Sequence, residues 1–250
     1  MESLDNKLAV VTGASKGIGK GIAIALAKQG CKLILASRDE EKMQAVAAEI
    51  TAAGGRAQVC VCDITDEASV DDLFKLVAEH NQGLDILVNN AGMAIAGRID
   101  ELSYESWKQV QDVNVNGMFL CCRGAARLMK PAKKGRIINI GSISGQMPRV
   151  KSSPYTTSKF AVAGLTKALA LELRAYNIAV CCINPGNVMT DIWEKSPQVP
   201  EKEGVMAVDD LAELVDDLAE LVVTMASLPD HVNLFESVIL PVTQPYLGRG

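Results

Sequence analysis

Short apolar runs return at intervals along this chain, at residues 7–12, 32–36, 57–62, 86–88, 136–140 and 178–183, and they read as strands. Between them, residues 19–29, 40–53, 67–81, 104–129 and 155–176 carry apolar side chains at helical spacing, with stops such as Gly30 and Gly54-Gly55. Strands that are apolar on both faces need cover on both faces. Regular strand–helix alternation supplies it when the strands lie parallel. The rhythm therefore predicts an α/β chain built on a doubly wound parallel β-sheet with helices on both faces. No linker interrupts it, so residues 1–250 read as one domain. The exception is 191–206, where Pro197, Pro200, Gly204 and mixed charges suit a lid beside the carboxyl ends of the strands. Val-Asp-Asp-Leu-Ala-Glu-Leu then occurs twice without change over 208–221, which reads as an acidic amphipathic helix.

Charge and composition remove several classes of function. With 30 acidic against 25 basic residues the net charge is −5, so no basic surplus serves phosphate backbones or anionic membranes. Neither nucleic acid nor membrane is expected as a partner. No apolar run approaches the roughly 18 residues of a spanning helix, and the first residues lack a signal's cationic and apolar regions, which predicts a cytoplasmic protein. The 7 cysteines, mostly inside strand-like runs, read as buried reduced thiols. Only two histidines occur, His80 and His231, too few for a His-rich metal site or a Ser-His-Asp hydrolase. No metal is expected.

The first strand runs into Thr12-Gly13-Ala14-Ser15-Lys16-Gly17-Ile18-Gly19 and then an apolar helix. Glycines there let the backbone turn tightly and approach a pyrophosphate, whose charge rests on the next helix's N–H groups. A plain tight turn is the other reading of such a loop. The second strand ends Leu35-Ala36-Ser37-Arg38, where dinucleotide-binding folds meet the adenosine ribose. With no carboxylate at Ser37, and with Arg38 and Lys16 beside it, this pocket favours a 2′-phosphate and hence NADP over NAD. Solvated surface cations are the plainer alternative for both. Farther on come Asn89-Asn90-Ala91-Gly92, Ser142, and Tyr155-Thr156-Thr157-Ser158-Lys159 at the start of a helix. Tyr155 and Lys159 are four apart and share a helix face, where an ammonium favours the ionised phenol.

In the order and spacing of these motifs the chain resembles the short-chain dehydrogenase/reductase family along nearly its whole length. The matching residues are Thr12 to Gly19, Asp63, Asn89 to Gly92, Asn114, Ser142, Tyr155, Lys159, Pro185-Gly186 and Thr190. The resemblance implies a Rossmann-type fold, NADP(H) as cofactor and a small-molecule carbonyl or alcohol as substrate. It implies that Tyr155 is the general acid or base, that Ser142 holds the carbonyl oxygen, and that Lys159 tunes Tyr155 and meets the nicotinamide ribose. Asn114 would anchor a water in a proton relay, with Asn116 the lesser candidate. Gly13, Ser15, Lys16, Gly17, Ile18 and Gly19 would cradle the pyrophosphate, with Ser37 and Arg38 at the ribose. Asp63 and Ile64 would touch adenine, Asn90, Ala91 and Gly92 the adenosine side, and Pro185, Gly186, Val188 and Thr190 the carboxamide. Asn89 reads instead as a structural tie between loops. The resemblance also implies a homo-oligomer, a tetramer or dimer, paired through helices 104–129 and 155–176.

Substrate is less constrained. The chain lacks the Thr-Gly-Gln and Asp-Gly-Gly stretches of many reductases of acyl-carrier-protein thioesters. Its tail, Ser227 to Asn233 and Leu240 to Gln244, is similar to the NADP-dependent 3-hydroxy acid (serine-type) dehydrogenase branch. Arg149 and Lys151 stand where a cation would pair with a substrate carboxylate, although loop cations are commonly solvated. Met189 and Trp193 would suit an apolar substrate body or pack the lid. A carbonyl reductase leads these readings. A 3-oxoacyl thioester reductase and a non-catalytic dinucleotide sensor are the alternatives.

Overall fold

A computed structural model describes residues 1–80, 83–186 and 208–242. The lid assigned to 191–206, with Met189 and Trp193, lies outside the described residues.

One sheet organises the chain. Its strands are β1 (Leu8–Thr12), β2 (Lys32–Ser37), β3 (Arg56–Val61), β4 (Ile86–Asn89), β5 (Gly135–Ile140), β6 (Ile178–Pro185) and β7 (Glu236–Ile239). They lie in the order β3-β2-β1-β4-β5-β6-β7, every pair parallel. Alternation along β1 shows why both faces need helices: Ala9 and Val11 enter one apolar cluster, Leu8 and Val10 the other. The first cluster lies under α1 (Gly17–Lys28), α2 (Glu40–Ala52) and α7 (Val208–Ala226). The second lies under α3 (Glu67–Glu79), α5 (Met118–Ala132) and α6 (Ser153–Leu173). Local signals set several helix starts. Asp39, Asp66 and the Ser103 ahead of α4 (Tyr104–Gln111) each accept a first-turn backbone N–H.

Two expectations about elements change. The single helix read over 104–129 is interrupted by a π-helical segment, Asp112–Gly117, between α4 and α5. One extra residue in that turn rotates α5 relative to α4, a shift that apolar periodicity does not reveal. β7 escaped prediction because it is an edge strand of four residues with only alternate positions covered, just before Pro241. The duplicated heptad does lie in a helix. Leu218, Ala219 and Val222 of α7 enter the cluster that holds Ile22 and Leu26 of α1.

β1 and β4 are neighbours whose outgoing connections run to opposite sides of the sheet. A crevice opens at that switch point beyond the strands' carboxyl ends.

Candidate active site

The crevice is a cavity of about 420 Å³. At one end the β1–α1 turn crosses it. Gly13 and Gly17 sit at φ +65° and +54°, a region L side chains rarely adopt. A Cβ on Gly19 would stand 2.3 Å from the Gly13 carbonyl oxygen, so the turn closes only because none is there. Lys16 at the start of α1 gives no side-chain cap, and the first turn carries no acidic residue. The helix therefore offers its leading N–H groups and positive dipole end to an anion in the cavity. Glycine cradle and uncapped helix together fit a pyrophosphate.

Asn90 braces this turn. Its Nδ2 donates to the carbonyls of Thr12 (3.0 Å) and Gly13 (3.2 Å), while Thr12 Oγ1 accepts the backbone N–H groups of Asn90 and Ala91, both at 3.1 Å. Asn89 points the other way, into the core, and donates to Asn139 Oδ1 (2.9 Å) and Cys122 Sγ (3.2 Å).

Ser37, Arg38 and Lys16 line the same end of the cavity, with Ser37 Oγ donating to Ser15 Oγ at 3.2 Å. Arg38 lies 4.0 Å from the Asp63 carboxylate and is 74% exposed, within reach of a charged group at the rim. Partial burial pushes the Asp63 carboxyl up, but the Thr65 N–H and hydroxyl and the Arg38 charge outweigh it, so Asp63 sits below the ordinary carboxylate range. Ile64, Ala91 and Gly92 complete this wall.

At the other end, Ser142 comes just after β5, and Tyr155 and Lys159 project from the first turns of α6. Lys159 Nζ is buried, donates to the Ile140 carbonyl at 2.9 Å, and lies 5.5 Å from the centre of the Tyr155 ring. Ser142 Oγ accepts the N–H of Ser144 at 3.1 Å, which leaves its own proton to be donated elsewhere. Pro185 and Gly186 line the cavity beside them, whereas Val188 and Thr190 lie outside the described residues.

Asn114 stands in the π-helical segment behind this wall. Its Oδ1 accepts Met93 N (2.8 Å), and its Nδ2 donates to Met93 O and Ser158 Oγ, both at 2.9 Å. Ser158 in turn donates to the Tyr155 carbonyl at 2.7 Å, so Asn114 ties the strip after β4 to the start of α6. Asn116 faces outward and bonds Asp112. Arg149 lines the cavity and also a neighbouring cleft, where Lys151 joins it with Gly97, Arg98 and Thr156. Lys151 itself does not line the cavity. Among residues the sequence did not single out, Gln109, Val113 and Ser144 also line the cavity. Asn184, just before Pro185-Gly186, donates nothing to the cavity but accepts Ser142 N at 3.2 Å. Among the described residues no group of metal-ligating side chains occurs.

Known proteins are similar to this chain in sequence and in fold. A 3beta-hydroxysteroid dehydrogenase of Mediterraneibacter gnavus is 38% identical over 197 residues, which is 78% of this chain and 71% of that protein. A 3-oxoacyl-acyl-carrier-protein reductase of Synechocystis is 38% identical over 195 residues, 78% of this chain and 79% of its own. Among solved structures, a metagenomic short-chain oxidoreductase in complex with NADP superposes with a TM-score of 0.82 at 33% identity, covering 96% of this chain and 99% of that one. An actinorhodin polyketide ketoreductase with NADPH gives 0.84 at 30% identity, covering 96% and 98%. The short chain dehydrogenase pattern matches residues 7–200, and the chain belongs to that family.

Proposed function

We propose that this chain is an NADP-dependent oxidoreductase that moves a hydride between NADP(H) and a carbonyl or secondary alcohol. The observation that carries the reading is one cavity holding a glycine cradle and a basic rim at one end and Ser142, Tyr155 and Lys159 at the other. Bound NADPH supplies the hydride. The Ser142 hydroxyl, one lone pair taken by the Ser144 N–H, donates to the substrate oxygen and holds the carbonyl beside Tyr155. Tyr155 gives its proton to that oxygen as negative charge develops there, and takes it back in the oxidative direction. Lys159, anchored on Ile140, keeps a positive charge under the phenol and offers its remaining N–H groups to a ribose. Asn114 holds Met93 and the Ser158 turn, which keeps Tyr155 in place. Gly13, Ser15 to Gly19, Ser37, Arg38, Asp63, Ile64, Asn90 to Gly92, Pro185 and Gly186 bind the cofactor, with Lys16 and Arg38 reading the 2′-phosphate.

The substrate is a ketone, aldehyde or 3-oxo acid, and Arg149 on the cavity wall favours one that carries a negative charge. A second reading, reduction of a 3-oxoacyl thioester, draws on the activity of the Synechocystis relative. Residues 1–250 act as one catalytic domain. The enzyme works in the cytoplasm as a homo-oligomer, supported by its free cysteines and by the apolar outer face of α6. Loss of NADPH fluorescence with a panel of oxo acids, diketones, aldehydes, steroids and acyl thioesters tests the reaction and ranks the substrates. No turnover with any of them leaves a dinucleotide-binding protein without catalysis.

A further inference from the structure

We infer that Asn184 and Glu236 form a clamp that positions Ser142, so the edge strand β7 takes part in aiming the hydroxyl that holds the substrate oxygen. The inference rests on the proposed role of Ser142. The last regular bond between β5 and β6 at this level runs from Gly141 N to Ile183 O, at 2.7 Å. One residue on, the Ser142 N–H finds the side chain of Asn184 instead, with Oδ1 at 3.2 Å. Asn184 is buried, and it comes this close only because Gly141 lacks a side chain, since a Cβ there would lie 2.2 Å from Asn184 Oδ1.

An asparagine amide can face either way, as acceptor or as donor. Here the choice is made by Glu236. Its carboxylate only accepts, and its Oε1 takes Asn184 Nδ2 at 3.2 Å and Gln146 Nε2 at 2.7 Å. The amide's donor end is thereby held on β7 and its acceptor end on Ser142. With Ser142 N on Asn184 and Ser142 Oγ on Ser144 N, both the backbone and one lone pair of the serine are fixed, and its proton is left for donation into the cavity that it lines. Asn184 and Glu236 do not line the cavity themselves, so they are positioning residues.

The test measures kcat for reduction of ethyl 3-oxobutanoate by NADPH alongside NADPH affinity in the absence of substrate. Asn184→Leu keeps the volume and removes both ends of the amide. A misplacement on the scale of an ångström costs about a hundredfold in rate, so kcat should fall about 10- to 100-fold while NADPH affinity changes less than about twofold. Asn184→Asp keeps an acceptor toward Ser142 but sets two carboxyl groups against each other, and adding Glu236→Gln restores a donor–acceptor pair. The double variant should therefore be faster than Asn184→Asp alone. Unchanged kcat in Asn184→Leu, an equal loss of NADPH affinity, or a double variant no faster than Asn184→Asp overturns the clamp. Ser142→Ala separates the two levels of argument. If it leaves kcat intact, the reading of Ser142 fails; if it abolishes turnover while Asn184→Leu does not lower it, only the clamp fails.

Discussion

At the scale of single residues, the bonds a side chain already makes decide what it has left to offer. In the proposed mechanism Tyr155 is the proton donor, beside a Ser142 hydroxyl left with its own proton to hold the substrate oxygen and a Lys159 anchored on Ile140. Tyr155→Phe should therefore lower turnover by about 10² to 10⁴ while NADPH still binds, as single-turnover and fluorescence titrations would report. In the proposed reading cofactor choice turns on Arg38, which is exposed and 4.0 Å from Asp63, a contact too long and too wet to hold it against a phosphate. A charge-assisted bond is worth about 1.5 to 3 kcal/mol, so Arg38→Ala should weaken NADPH binding by about 10- to 100-fold and leave NADH nearly unchanged. Equal losses for both cofactors would assign Arg38 another partner.

Secondary-structure elements are held by close fits that tolerate little. Gly124 of α5 faces the ring of Phe74 on α3, and a Cβ there would lie 2.2 Å from it. Replacing a helical glycine by alanine ordinarily gains up to about 1 kcal/mol, but here the new methyl would have to displace the buried Phe74 ring. Overpacking of this kind costs about 1 to 3 kcal/mol, so Gly124→Ala should lower Tm by a few degrees, and a raised Tm would show that α3 moves freely. The strands and α5 also carry the cysteines. Burial pushes Cys122 and Cys181 up from 9.0 to about 12, and raises the half-buried Cys60 as well. The thiolate is the reactive form, so at pH 8 a thiol reagent should label Cys60 first and leave Cys122 and Cys181 untouched until the chain unfolds. A thiol held neutral in the fold and free to ionise when unfolded stabilises fully below about pH 9, and that contribution falls as pH rises toward about 12. The urea midpoint should drop accordingly between pH 8 and pH 10.

For the molecule as a whole, the outer face of α6 is the unusual surface. Phe160 is 48% exposed and Leu171 67%, and Gly164 between them has nothing within 4 Å of a would-be Cβ. Phe119 on α5 is 46% exposed as well. Large apolar side chains around a bare backbone suit a second helix packed closely across a symmetry axis. Light scattering at micromolar concentration should give a multimer, and Gly164→Arg should reduce its mass. A monomer in the unsubstituted protein would contradict the pairing.

Period and punctuation determined much of this molecule. Doubly apolar strands alternating with amphipathic helices leave little choice but a covered parallel sheet, and glycines at Gly13, Gly17 and Gly19 mark where its first turn must pinch. The Tyr155–Lys159 pair was legible because four residues on a helix is a distance fixed by geometry. Features beyond local pattern were decided by tertiary structure. The π turn that sets Asn114, the four-residue strand β7 and the bond from Asn184 to Ser142 each depend on partners 21 to 52 residues away in sequence. A hydrogen-bonding side chain looks the same in sequence whether it faces ligand, neighbour or water. Only the packing that brings distant segments together settles which, and that is why Asn89 is a core tie, Lys151 sits outside the cavity, and Glu236 stands within reach of Asn184 beside the active site.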